Sequence, residues 1–77
     1  MWQTIDNQLY KKFQFNNFTR AFAFLTHVAF LAEAQNHHPK IVNVYNTVEL
    51  WLSTHDAGNI ITQKDYDLAK AIDEVKD

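Results

Sequence analysis

A chain of 77 residues without cysteine and with a net charge of −2 has room for one domain, cannot use disulfides or thiolate-bound metal, and lacks the basic stripe that direct nucleic-acid binding needs. No apolar run is long enough to cross a bilayer and the N-terminus, Met1-Trp2-Gln3-Thr4, does not read as a secretion signal, so a cytoplasmic protein without a membrane partner is expected. Hydrophobic residues make up 47% of the chain and aromatic ones 14%, more apolar material than so small a domain hides easily, which predicts a homodimer or homotetramer.

With one glycine, Gly58, and one proline, Pro39, there is no material for a linker, and a single domain over 1–77 is predicted. Trp2 to Ile5 and Gln8 to Phe15 flank Asp6-Asn7, a pair that tolerates the left-handed conformations of a tight hairpin. Pairing across that turn puts Trp2 and Thr4 on one face with Leu9, Lys11, Phe13 and Phe15, and this mostly apolar face is expected to look inward.

Asn17 is the predicted N-cap of a helix from Phe18 to about Asn36. Its buried stripe is expected at Phe18, Phe22, Leu25, Ala29 and Ala32, which recur at three- and four-residue spacing. Phe24 and Leu31, with His27 between them, form a second apolar row, expected to pack on another subunit, with a ligand pocket as the alternative. His27, which has no charged neighbour one turn away, reads as structural.

From Ile41 to Thr54 the period changes to two, with Val42, Val44, Val48, Leu50 and Leu52 sharing one parity. Parity survives a turn of odd length only, so a three-residue loop Tyr45-Asn46-Thr47 is predicted, with Asn46 left-handed. Thr62-Gln63-Lys64-Asp65 has the form of a capping box. The helix it starts is expected to turn Leu68, Ala71, Ile72 and Val75 inward. Together these elements predict an α+β domain, a four-stranded antiparallel sheet with two helices on one face in the order β-β-α-β-β-α.

Pro39 disfavours helical geometry at His38, so the long helix must stop at about Asn36 or His37, leaving His37 and His38 at its C-terminal end. Two imidazoles at the negative end of a helix dipole suit the pairing of a neutral base with a cationic acid. Glu33 lies four residues before His37 and is expected either to orient that imidazole or to face solvent. His55 follows the strand ending Ser53-Thr54, where it can enter a cleft at the sheet's edge. Asp65 has a sufficient explanation as a first-turn helix acid. His37, His38, His55 and Asp65 are enough in kind for a metal, but adjacent histidines at a helix end point in different directions and no metal is expected.

Phe13-x-Phe15, Phe18-x-x-Ala21, Ala32-Glu33, Asn36-His37-His38-Pro39, Asn43-Val44-Tyr45-Asn46, Thr54-His55, Gly58 and Asp65-x-x-Leu68-Ala69 run over nearly the whole chain. Taken together they resemble the pterin-4a-carbinolamine dehydratases, in a short form without the family's N-terminal helix. One departure is Ile41, where the family often has tryptophan. The resemblance implies an α+β enzyme, a hydro-lyase that removes water from a 4a-hydroxytetrahydropterin to give a quinonoid dihydropterin in tetrahydropterin recycling, with neither metal nor cofactor. It implies that His37, His38 and His55 are the catalytic acid-base groups and that Glu33, Pro39, Ser53, Thr54 and Asp65 surround the substrate. Expelling the C4a hydroxyl needs a proton donor and N5 needs a base, which suits these residues; spacing leaves open which histidine does which. Family members also serve as dimerisation cofactors for a homeodomain transcription factor, so a non-catalytic interaction module working through the Phe24 and Leu31 row is the competing reading.

Overall fold

The computed structural model describes residues 1–75; Lys76 and Asp77, the last two positions of the domain read as 1–77, lie outside the described residues. In chain order it forms β1 (Gln3–Ile5), β2 (Gln8–Gln14), α1 (Phe18–Gln35), β3 (Lys40–Val44), β4 (Thr47–Leu52), a 3₁₀ turn (His55–Ala57) and α2 (Gln63–Asp73). The sheet runs β1-β2-β4-β3 with every pair antiparallel, so the α+β order anticipated from periodicity is the one observed. Among the described residues no helix is long and apolar enough to cross a membrane.

Local signals explain most of this. Asp6 and Asn7 both take positive φ, 51° and 62°, and close a two-residue hairpin that puts Ile5 opposite Gln8. The register pairs Leu9 with Leu52, Lys11 with Leu50 and Phe13 with Val48, giving the sheet one apolar face. Val48, Leu50 and Leu52 are inaccessible or nearly so, and they form the centre of the core with Ala21, Leu25 and Val28 of α1 and Leu68, Ala69 and Ile72 of α2. Lys11 leaves this face by lying over the Phe13 ring at 5.0 Å and pairing with Asp73 at 2.9 Å. On the opposite face Tyr10 donates to Glu49 Oε2 at 2.5 Å. That hydrogen bond, with some desolvation and the Glu49 charge, raises the phenol above its ordinary 10.0.

Three expectations are corrected. The β3–β4 turn holds two residues, Tyr45 and Asn46, because Val44 pairs with Thr47, and it is Tyr45 that takes the left-handed conformation, at φ 51°. Asn46 serves as a clamp instead: its Nδ2 donates to Phe15 O at 2.9 Å, and Phe15 N–H donates to Asn46 O at 2.8 Å. A turn of even length inverts parity, so Ile41 and Asn43 share the face of Leu50 and Val48 while Val42 and Val44 share that of Glu49 and Thr47. Asn43 is useful there, since its Nδ2 donates to the carbonyls of Tyr45 and Thr47.

Helix α1 begins as expected, with Asn17 Oδ1 accepting from Arg20 N–H at 2.9 Å, but it is rotated about its axis. Phe24 is buried, its ring 4.8 Å from Phe13 and 5.0 Å from Phe15, and Leu31 packs against the core. Phe18 and Phe22 are about half exposed, Ala29 is exposed and Phe30 is 70% exposed. Two rows of the helix share Leu25 and Ala32, and the one built on the small, fully buried Ala21 is the one turned to the core. Among the described residues, the row without a partner is therefore that of Phe18, Phe22 and Phe30, not that of Phe24 and Leu31. In urea unfolding of dilute protein, Phe24→Ala should cost about 3–5 kcal/mol and Phe22→Ala about 1 kcal/mol or less; equal losses would contradict this orientation. In α2, Ala69 is buried where Ala71 was expected, beside Leu68 and Ile72.

Candidate active site

The corner between α1 and β3 is set by Asn36. It adopts the left-handed conformation at φ 50°, ψ 45°, which asparagine tolerates, and lets Asn36 N–H donate to Glu33 O at 3.2 Å and His37 N–H donate to Ala32 O at 3.0 Å. These are the two bonds of a Schellman ending. The chain turns sharply there, so the two imidazoles no longer follow the helical repeat. The His37 side chain is 11% exposed, with Nε2 at 2.5 Å from Asp65 Oδ1. That of His38 is 56% exposed, with Nε2 at 2.5 Å from Glu33 Oε1. Glu33 thus partners His38 rather than the His37 expected from four-residue spacing, because a left-handed residue intervenes.

Asp65 joins three parts of the fold. Its residue is fully buried in the first turn of α2. Oδ2 accepts the Thr62 N–H at 2.8 Å, which caps the helix, and the Thr54 hydroxyl at 2.8 Å, which ties in the end of β4; Oδ1 meets His37 from the exit of α1. The Thr54 hydroxyl also lies 2.6 Å from that of Thr62. The loop between them is closed by the bridge Thr54–Ile60, and Gly58 takes φ 90° to end the 3₁₀ turn that carries His55. The His55 ring is 90% exposed, with Nδ1 at 3.5 Å from Asp56 Oδ1.

An open cleft of about 300 Å³ lies between these elements, at the small end of the range for small-molecule sites. His37 and His38 line it from the helix exit, and Ser53, Thr54 and His55 from the strand end. Glu33, Pro39 and Asp65 do not border it: Glu33 is connected through His38, and Asp65 through His37 and Thr54. Asn36, Asp56 and Lys64 also line the cleft, and the site reading from sequence missed them. Asn36 carried a signal, as an αL-tolerant residue at a helix end. Lys64 carried none beyond its place next to Asp65.

Chemically, the arrangement distinguishes the two nitrogens of His37. An ionised carboxylate only accepts, so Nε2–H donates to Asp65 and Nδ1 is the nitrogen left for proton exchange. His55, in contrast, meets water on nearly all of its surface. The cleft thus has one anchored imidazole and one solvent-facing imidazole on different elements, which is the equipment for moving one proton in and another out.

Known proteins are similar to this chain in sequence and architecture. The profile of the Pterin 4 alpha carbinolamine dehydratase family matches residues 1–75. A Chloroflexus aurantiacus protein named for the same dehydratase is 54% identical over 74 residues, covering 96% of this chain and 78% of its own. A crystal structure of a transcriptional coactivator/pterin dehydratase from Brucella melitensis superposes with a TM-score of 0.88 at 35% identity, covering 94% of this chain and 78% of that one. A pterin dehydratase-like protein identified as a RuBisCO assembly factor in the alpha-carboxysome gives a TM-score of 0.75 at 26% identity, covering 95% and 83%. With its whole described length matched and its relatives this similar, the chain belongs to the pterin-4a-carbinolamine dehydratase family.

Proposed function

We propose that the cleft dehydrates a 4a-hydroxytetrahydropterin to the quinonoid dihydropterin by histidine general acid-base catalysis, in the recycling of a tetrahydropterin. The observation that carries this reading is the buried His37–Asp65–Thr54 network facing the same cleft as His55. Protonated His55, on the solvent side, gives its proton to the C4a hydroxyl as the C–O bond breaks, and water leaves into bulk. The N5 lone pair forms the C4a=N5 bond, and the N5 proton passes to His37 Nδ1. Asp65 then faces an imidazolium, so the charge that develops meets a carboxylate already in place. His38 and Ser53 complete the walls, Glu33 holds His38, and Pro39 directs the chain from the histidine pair into β3.

The test is the decay of a 4a-hydroxytetrahydropterin, generated by a hydroxylase and followed by absorbance, with and without the protein. His55→Ala should slow the catalysed decay by about 100-fold. Because the ring is so exposed, added imidazole should restore part of the rate. Near-normal turnover by that variant would refute the assignment of His55.

A second reading has its own support. The exposed row Phe18, Phe22 and Phe30 and the coactivator and assembly-factor names of the two structural neighbours fit an interaction module. The same row supports assembly of a cytoplasmic protein into a homodimer or homotetramer. If the protein leaves the carbinolamine decay unchanged and a defined partner binds it only while Phe18 and Phe22 are intact, the binding reading prevails.

A further inference from the structure

We infer that the hydroxyl of Thr62, which does not line the cleft, is a positioning group for His37; this rests on the proposed reaction at that imidazole. The direction of each proton in the network follows from the acceptors. The Asp65 carboxylate cannot donate, so Thr54, at 2.8 Å, gives its only hydroxyl hydrogen to Oδ2. In the 2.6 Å contact between the two threonine hydroxyls, Thr62 must then be the donor. Thr62 also gives its backbone N–H to the same Oδ2 at 2.8 Å. It therefore acts on the carboxylate twice, once directly and once through Thr54.

Thr62 O–H, Thr54 O–H, Asp65 and His37 Nε2–H form a chain of contacts that ends on an imidazole of the cleft lining, whose Nδ1 is the nitrogen left for proton exchange. The centre of the chain is shielded, with Asp65 0% and Thr54 7% exposed, so water does not readily reach the carboxylate to restore a lost alignment. Without the Thr62 proton, the Thr54 hydroxyl loses the donor that polarises and orients its oxygen, and its hydrogen bond to Oδ2 weakens. The carboxylate can then turn about its terminal bond, and Oδ1 loses its alignment with His37. Thr62 is the N-cap of α2, so the residue that starts the helix also orients the imidazole on another element.

The test compares Thr62→Val, which keeps the branched shape and removes the donor, with Thr62→Ser, which keeps the donor. In Thr62→Val, kcat should fall about tenfold, the lower end of losses seen when the outer hydrogen-bond partners of metal-bound imidazoles are removed, with KM unchanged within about twofold. The ¹⁵N spectrum of the His37 ring should pass from the Nε2–H tautomer to a mixture. Thr62→Ser should restore both. A weakened helix cap lowers the melting temperature without producing this spectrum, and Thr62→Ala gives the same readouts if the valine packs poorly. Parent-like kcat and parent-like His37 spectra in both Val and Ala variants would overturn the inference, as would equal losses in Thr62→Ser. His37→Ala, assayed in parallel, separates the two ideas: near-normal turnover there overturns the reaction, whereas the ¹⁵N result still decides the role of Thr62.

Discussion

Replacing His37 with alanine is expected to lower turnover of a 4a-hydroxytetrahydropterin by about 1,000-fold, measured as the catalysed decay of the carbinolamine at saturating substrate. The magnitude follows from burial. His37 is the histidine of the cleft that is both shielded, at 11% exposure, and held by a buried carboxylate. Water cannot take its place at fixed orientation, so on the proposed mechanism the variant loses the base and its alignment together. The loss should fall on kcat. His38 provides the internal comparison: it is more than half exposed and its partner Glu33 is 77% exposed, a pair of the kind that contributes little to stability. A greater loss of kcat from His38→Ala than from His37→Ala would show that the anchored imidazole is not the base.

Asp65 yields the second large effect, and two substitutions separate its roles. Asp65→Ala leaves the Thr62 N–H and the His37 Nε2–H without their acceptor inside the fold and strips the Thr54 hydroxyl of its carboxylate, leaving it only the Thr62 hydroxyl. A buried donor without a partner costs about 1–3 kcal/mol, so a total of about 3 kcal/mol or more is expected in urea unfolding. A domain of this size is held by only about 4–12 kcal/mol, at 0.05–0.15 kcal/mol per residue, and the melting temperature should fall sharply. Asp65→Asn keeps an oxygen for Thr54 and Thr62 and turns an NH₂ toward His37. The amide donates where the carboxylate accepted, so the imidazole must reverse its tautomer and carry its proton on Nδ1, the nitrogen proposed as the base. In other enzymes an Asp-to-Asn change beside a catalytic histidine lowers kcat by about 10⁴-fold; here a loss of about 100-fold or more with a folded protein is expected. Parent-like activity in Asp65→Asn would exclude the tautomer as the reason for this contact.

The parts of the fold that were legible in advance are those governed by neighbours in sequence. Asp6-Asn7 accepts two positive φ values, Asn17 reaches a backbone N–H three residues on, and the Thr62 to Asp65 segment satisfies its own helix start. Pro39 bars His38 from the helix, which places both histidines at its end. Each of these depends on a few residues whose geometry is settled wherever the segment lies.

The errors have the opposite character. Periodicity allowed two faces for α1, and only contact with Phe13, Phe15 and the sheet selects the one containing Phe24. Asn46 was suited to a left-handed turn, but the end of β2 claims its side chain and Tyr45 takes the strained position instead.

The site divides in the same way. The sequence by itself determined the residue types and the helix-end and strand-end positions of His37, His38 and His55, because helix termination and strand alternation are local. The pairing of His37 with Asp65 and of Thr54 with Thr62 was decided only by the tertiary structure, whereas that of His38 with Glu33 follows from the local left-handed turn at Asn36. Such partners are chosen by which side chains meet when α1, β4 and α2 pack on one core, and the burial that shields Asp65 exists only after they have done so.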